Sequence, residues 1–243
     1  VFSAKYIDQN GFISTSKIFA RGVKAFQAEN RAESMGGLIM ATTFMHLCVA
    51  RAAAVNLPLS DKSQYYLGSI APDSVNMDGF AEKKLRWSAH IRDRDFMKWY
   101  GNVSAFYREN RGSFQDRDLL LGYAVHILTD LAWDGYYVGK IQPHMQSLEH
   151  PAIPDWEACL KDSFRYDSRQ IHAHWWEHEV KEQLRRAVPR AINGISPEIL
   201  GRYQRYITDE YAKTLNIEPA FYIKDNVLEE LAEEVKQKCA EYL

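Results

Sequence analysis

Cysteine is scarce in this chain of 243 residues: Cys48, Cys159 and Cys239 are its whole complement. Three is an odd number, the positions are far apart, and no Cys-x-x-Cys spacing occurs. This excludes a disulfide framework and a cysteine-built zinc module. Free buried thiols in a reducing compartment are expected. Long hydrophobic runs are also missing, since no apolar stretch reaches the roughly 18 residues needed to cross a bilayer. The first residues, Val-Phe-Ser-Ala-Lys-Tyr, lack the basic flank and long apolar centre of a signal peptide. A soluble cytoplasmic protein is expected, with the proviso that a removed leader leaves no trace. A dominant charge sign is absent as well. Thirty Lys and Arg stand against 32 Asp and Glu, so no global basic field points to a nucleic-acid partner. Neither internal repeats nor useful strand-like alternation occurs. The fold expected is therefore all-α, a single multi-helix domain.

What is present fits a folded chain with a full core. Hydrophobic residues make up 46% and charged residues 26%, which argues against disorder. Aromatics reach 13%, enough for a thick helical core or a cleft with aromatic walls. Residues 1–39 differ from the rest, with Gly11, Gly22 and Gly36-Gly37 in a patchy apolar background. They read as an N-terminal extension, natural or artificial, ahead of one domain over 40–243.

Within that domain, residues 41–55 form an Ala-rich apolar helix that stops before Pro58. Asp61 can cap a short helix over 62–69. Pro72 disfavours helix at Ala71, so Asp73 is presented from a turn. Residues 81–94 are charged, with Trp87 and His90 embedded. Residues 95–110 place Phe96, Trp99, Tyr100, Val103, Phe106 and Tyr107 at spacings of three and four, the pattern of a core helix face. Later helices are expected over 155–166, over 168–187, from Ser196-Pro197 onward, and over 226–243.

The richest stretch is Gly122-Tyr-Ala-Val-His126-Ile-Leu-Thr-Asp130-Leu-Ala-Trp-Asp134, inside the apolar run 119–138. Ser113 and Asp116 stand upstream at capping-box spacing. Helical geometry stacks His126, Asp130 and Asp134 on one face, one turn apart. Burying an imidazole and two carboxylates is costly unless each is paired or bound to a cation. The plainer alternative is mutual hydrogen bonding inside a bundle. His46, Asp73 and His90 raise the same question. Read singly, they suit a core histidine or an Asx-turn. Read together, nitrogen and carboxylate donors suit Zn²⁺, with Mn²⁺ or Fe²⁺ as alternatives.

The order His46, Leu67-Gly-Ser-Ile-Ala-Pro-Asp73, His90, Gly122-Tyr-Ala-Val-His126-Ile-Leu-Thr-Asp130 resembles the zinc-dependent phospholipase C family, especially its short bacterial hydrolase-type members. That family is related to the P1-type nucleases. The likeness spans residues 41–140. It implies an all-helical fold with one or two zinc ions between core helices. It also implies a metal-dependent hydrolase of phosphate esters, a phosphodiesterase acting on a small-molecule or lipid phosphoester. Asp73, His90, His126 and Asp130 would hold one metal, and Asp130 would bridge to a second that His46 also binds. Asp73 would orient or deprotonate the attacking water. Two cations about 3.5–4 Å apart can activate water and offset phosphodiester charge. The secreted members carry another His six residues after the bridging Asp, where this chain has Tyr136, and they use an N-terminal Trp amine that has no counterpart here. Asp134, His174 and His178 are additional ligand candidates, and Trp87, Trp133 and Tyr136 are candidates to line a pocket.

His174-Trp-Trp-Glu177-His178 also matches the H-x-x-E-H string of inverted zinc peptidases, with Glu177 as base. That fold needs a larger α/β domain than this chain offers. Two other readings stay open for this cluster: completion of the second metal site, or a solvated face. A different class of function is also open, a helical binding or scaffold protein with a structural metal and no catalysis.

Overall fold

The computed structural model describes residues 41–79, 81–114, 116–147, 155–214 and 219–243, so the extension expected over 1–39 lies outside the described residues. In chain order α1 is Thr43–Ala54, α2 Lys62–Gly68, α3 Lys83–Ala89, α4 Phe96–Asn110 and α5 Arg117–Tyr136. A 3₁₀ turn, Pro72–Asn76, lies between α2 and α3. α5 runs through a π turn, Tyr137–Ile141, into α6, Gln142–Ser147. Then come α7 Asp155–Gln170, a π turn Trp176–Val180 leading into α8 Lys181–Arg186, and α9 Pro197–Arg205. A third π turn, Tyr206–Glu210, leads into α10 Tyr211–Thr214, and α11 Asp225–Tyr242 ends the chain. Among the described residues there is no strand; one isolated bridge joins Ile192 and Ile195. None of these helices is long and apolar enough to cross a membrane. The all-α expectation holds.

α5 is the axis of the core. Every residue from Asp118 to Gly135 is buried, which is the pattern of a helix covered on all sides. α1, α2, α4 and α11 pack around it. Burying a residue such as Ile127 or Leu128 contributes about 1.5–3 kcal/mol. A buried carboxylate stripped of a partner costs several kcal/mol, more than one such residue returns. The three acids of α5 therefore need partners. Asp118 accepts from the backbone N–H groups of Ser60 (2.8 Å) and Asp61 (2.5 Å), fastening the start of α2. Asp134 pairs with Arg92. Asp130 has no hydrogen bond at either oxygen.

Side-chain caps start α2 at Asp61 and α9 at Ser196, as the sequence pattern predicts, and Asp95 caps α4 as well. The start of α5 differs. Asp116 itself is the cap, accepting from the Leu119 N–H, while the Ser113 hydroxyl turns back to the Asn110 carbonyl. Ala71 stays helical at φ −62°, ψ −42°, against the usual pre-proline bias. The chain leaves α2 instead through tightened i→i+3 bonds, Ile70 to Leu67 and Ala71 to Gly68. Although a proline inside a helical pattern is expected to end the helix, Pro143 does not, because the π turn before it shifts the bonding register and the helix resumes. Ser168 lies inside α7, which runs on to Gln170, and the break falls at residues 171–173. The thiols are free as expected, with Cys159 and Cys239 buried and Cys48 partly so.

Two buried acids of α7 organise the far side. Asp162 accepts from the N–H groups of Phe221, Tyr222 and Ile223 at 2.7–2.8 Å. Asp167 accepts from the Thr42 and Tyr211 hydroxyls, both at 2.6 Å, and from the Phe44 N–H. It thereby caps α1, whose own cap residue, Thr42, supplies no side-chain bond to the helix. Burial pushes the Asp167 carboxyl up from the ordinary 3.8 to about 7, although its three donors pull the other way. A raised acid binds its proton more tightly in the folded chain, so stability falls as pH rises from near 3.8 through about 7. The melting temperature of wild type should therefore decline across that window relative to Asp167→Asn, whose amide stays neutral. Thermal melts of both proteins at matched pH values check this; parallel curves would show that Asp167 does not titrate there.

Candidate metal centre

Four elements deliver the five side chains singled out by the sequence. α1 carries His46, the 3₁₀ turn carries Asp73, the end of α3 carries His90, and α5 carries His126 and Asp130. All five are buried. They converge because α2 and α5 cross at two glycines. A Cβ at Gly68 would lie 2.1 Å from the Leu119 carbonyl oxygen, and one at Gly122 would lie 2.0 Å from that of Tyr65. The close crossing brings the Ser69 carbonyl to His126, whose Nδ1 donates to it at 2.8 Å.

His90 is held from three directions. Its Nδ1 donates to the Arg86 carbonyl at 2.8 Å. Its own carbonyl accepts from the Trp99 indole at 2.9 Å. Its backbone ends α3 in a Schellman motif, with Arg92 N–H bonded to the Trp87 carbonyl and Ile91 N–H to that of Ser88. The motif needs a left-handed residue next, normally Gly, and Ile91 takes that place at φ 50°. For a β-branched residue this conformation costs about 1–3 kcal/mol, and the surrounding contacts must hold it.

With Nδ1 of His90 and His126 each spent on a carbonyl, both Nε2 atoms present lone pairs to the centre. They face each other at 3.3 Å. Asp130 Oδ2 completes a triangle, 3.4 Å from His90 Nε2 and 3.5 Å from His126 Nε2. These separations exceed good hydrogen bonds. They match the edges of a tetrahedron around one ion with ligands at about 2.0–2.1 Å, which works out to about 3.3–3.4 Å. Asp73 Oδ1 lies 3.5 Å from His90 Nε2, at the edge of this triangle. A second group comprises His46, Asp73 and His126. His46 Nε2 is 3.4 Å from Asp130 Oδ1 and 3.9 Å from Asp73 Oδ2, and its ring stacks on His126 at 3.6 Å.

The donor atoms fit a cation by what they lack. Both nitrogens of His46, both oxygens of Asp130 and Oδ1 of Asp73 are buried without a hydrogen bond. Three imidazoles and two carboxylates buried side by side form a donor set that suits a cation. Burial alone would favour the protonated carboxyl of Asp73, yet His126, His90 and His46 hold it below its usual range. At Asp130 burial is likewise overridden, chiefly by His46 and His126, and the carboxyl sits well below 3.8. The buried His and Asp groups can hold a metal ion.

The additional candidates do not join them. Asp134 is taken by the Arg92 guanidinium, and burial pushes its carboxyl up to about 6 against that pull. His174 and His178 are exposed, with their rings 4.3 Å apart, and they belong to neither buried group. Glu177 is exposed and bound by Lys181 at 3.0 Å, so the H-x-x-E-H string forms no zinc site among the described residues. Of the aromatic candidates, Trp133 is fully buried in the core and stacks on Tyr136, while Trp87 lies under the Lys83 ammonium. Arg92, Asp162 and Asp167 escape sequence reading. In a chain with 26% charged residues nothing distinguishes a buried Arg or Asp from a surface one until its partner is seen.

Compared with known proteins, the chain matches no family model, no curated protein and no solved structure.

Proposed function

We propose that the chain is a metal-dependent hydrolase of phosphate esters, phospholipase C-like, with zinc in the buried centre. The observation that carries this reading is the His90–His126–Asp130 triangle, with edges of 3.3–3.5 Å and neither oxygen of Asp130 hydrogen-bonded. His90, His126, Asp130 and Asp73 would hold one ion, with Asp130 and His46 facing a second. Nitrogen and carboxylate donors without thiolate suit Zn²⁺, and Mn²⁺ or Fe²⁺ take similar sets. When bound, the metal supplies Lewis acidity, which makes water a nucleophile near neutral pH and offsets phosphoryl charge.

The protein's own contribution centres on Asp73. Its side chain is 8% exposed, against 0–1% for the other four, so water meets the cluster at this residue. Its depressed ionisation keeps a carboxylate there at neutral pH, and Oδ1 has no hydrogen bond to satisfy. It can therefore orient an attacking water and take its proton. The Ser69 and Arg86 carbonyls fix the imidazole tautomers so that Nε2 faces inward.

Asp73→Asn tests the assignment. It keeps the shape of the side chain and leaves four ligands in place. Zinc content should be retained while turnover of bis(p-nitrophenyl) phosphate falls about 10²–10⁴-fold, the usual worth of a positioned base. The near-complete burial of the other four residues favours a second reading, a scaffold whose metal is structural. Wild-type protein that holds zinc and turns over no phosphoester would decide for the scaffold.

A further inference from the structure

Arg92 stands two residues beyond His90, and its side chain is 9% exposed. Its Nη2 donates to Asp134 on α5, one turn past Asp130. Its flat face lies 4.4 Å above the centre of the Trp99 ring, within cation–π range. The same indole donates to the His90 carbonyl. One aromatic residue of α4 therefore holds both the backbone of a centre residue and the cation that follows it. Between them Ile91 is left-handed, a conformation that a free chain end would abandon.

We infer that Arg92, clamped between Asp134 and Trp99, is the positioning residue that keeps His90 in the centre. The clamp joins the end of α3 to the helix that supplies His126 and Asp130. With it in place, the turn at Ile91 stays closed and His90 Nε2 stays 3.3 Å from His126 Nε2. Without it, the turn can relax toward an ordinary backbone and His90 moves away from the other two corners of the triangle. Lysine would be a poor replacement. It keeps the charge but lacks the planar guanidinium that lies over Trp99 while donating to Asp134. The role is indirect, since Arg92 acts through His90, and it rests on the reading of the cluster as a metal centre.

The test uses the purified chain with Arg92→Met and Asp134→Asn, the second removing the partner charge with little change of shape. Zinc affinity is measured by competition with a chromophoric chelator. The His90 ring is followed separately, in metal-free protein, by side-chain ¹⁵N NMR, which reports which nitrogen carries the proton. Both variants should bind zinc at least tenfold more weakly, the scale of losses at residues that orient ligands. In metal-free protein, both should replace the single Nδ1–H form of His90 with exchange between forms. Val235→Ala, a core truncation on α11 where Val235 is fully buried, should lower the melting temperature without either effect. Unchanged zinc affinity together with an unchanged His90 spectrum in both variants would overturn the clamp. Wild type that binds no zinc would instead sink the metal reading, and the His90 spectrum would still decide whether Arg92 positions the ring.

Discussion

Gly122→Ala is expected to destabilise the protein by about 3 kcal/mol or more, at the upper end of what overpacking costs. The added methyl would meet the Tyr65 carbonyl oxygen at 2.0 Å and the Ser69 N–H nitrogen at 2.9 Å. Both are backbone atoms, so no side chain can swing aside. α2 and α5 would have to separate, and the Ser69 carbonyl would leave His126 Nδ1. Damage should thus reach zinc affinity as well as the fold. For a chain of this size about 3 kcal/mol corresponds to a fall in melting temperature of about 6–12 °C. Gly101→Ala supplies the opposite sign. Gly101 is exposed on α4 with nothing within 4 Å of its added Cβ, so alanine's better helix propensity should raise stability by about 0.5–1 kcal/mol. Thermal melts of the two variants check both. A Gly122→Ala protein as stable as wild type would show that the crossing is looser than these distances state.

Zinc should raise the melting temperature of the metal-free protein strongly. A ligand that binds only the folded chain stabilises it by about 4 kcal/mol at a thousandfold excess over its dissociation constant. On the same scale this is about 8–16 °C. His126→Ala should lose the shift and most of the bound metal, because Nε2 of His126 is a corner of the triangle and its ring also stacks on His46. Elemental analysis of protein purified without a metal-affinity column, with melts before and after zinc addition, gives both readouts. Wild type free of metal, and unmoved by added zinc, would leave a helical domain whose buried His and Asp residues serve its core alone.

Helix positions were largely legible because their signals are local. Asp61 and Ser196 cap the helices they precede, and the spacing of Phe96, Trp99, Tyr100, Val103, Phe106 and Tyr107 marks the packed face of α4, with Phe106 only partly buried. Departures occur at irregular turns that residue preferences do not show. The π turn at Tyr137–Ile141 carries the helix past Pro143. Ile91 accepts a glycine's conformation while Arg92 and Trp99 hold the chain on either side of it.

By itself the sequence determined the all-helical class, the type of donors available, and the pairing of His126 with Asp130 one turn apart. Each follows from composition or from helical period, which need no knowledge of distant residues. Only the tertiary structure decided which donors meet. Asp134 has the same one-turn spacing from Asp130 that Asp130 has from His126, yet Arg92 takes it out of the cluster. His174 and His178 have helical metal-ligand spacing, yet they lie on the surface. The physical reason is that the energy of a buried charge is set by its neighbours in space. Those neighbours come from segments brought together by packing, above all at the Gly68–Gly122 crossing, where two backbones touch because neither residue has a side chain.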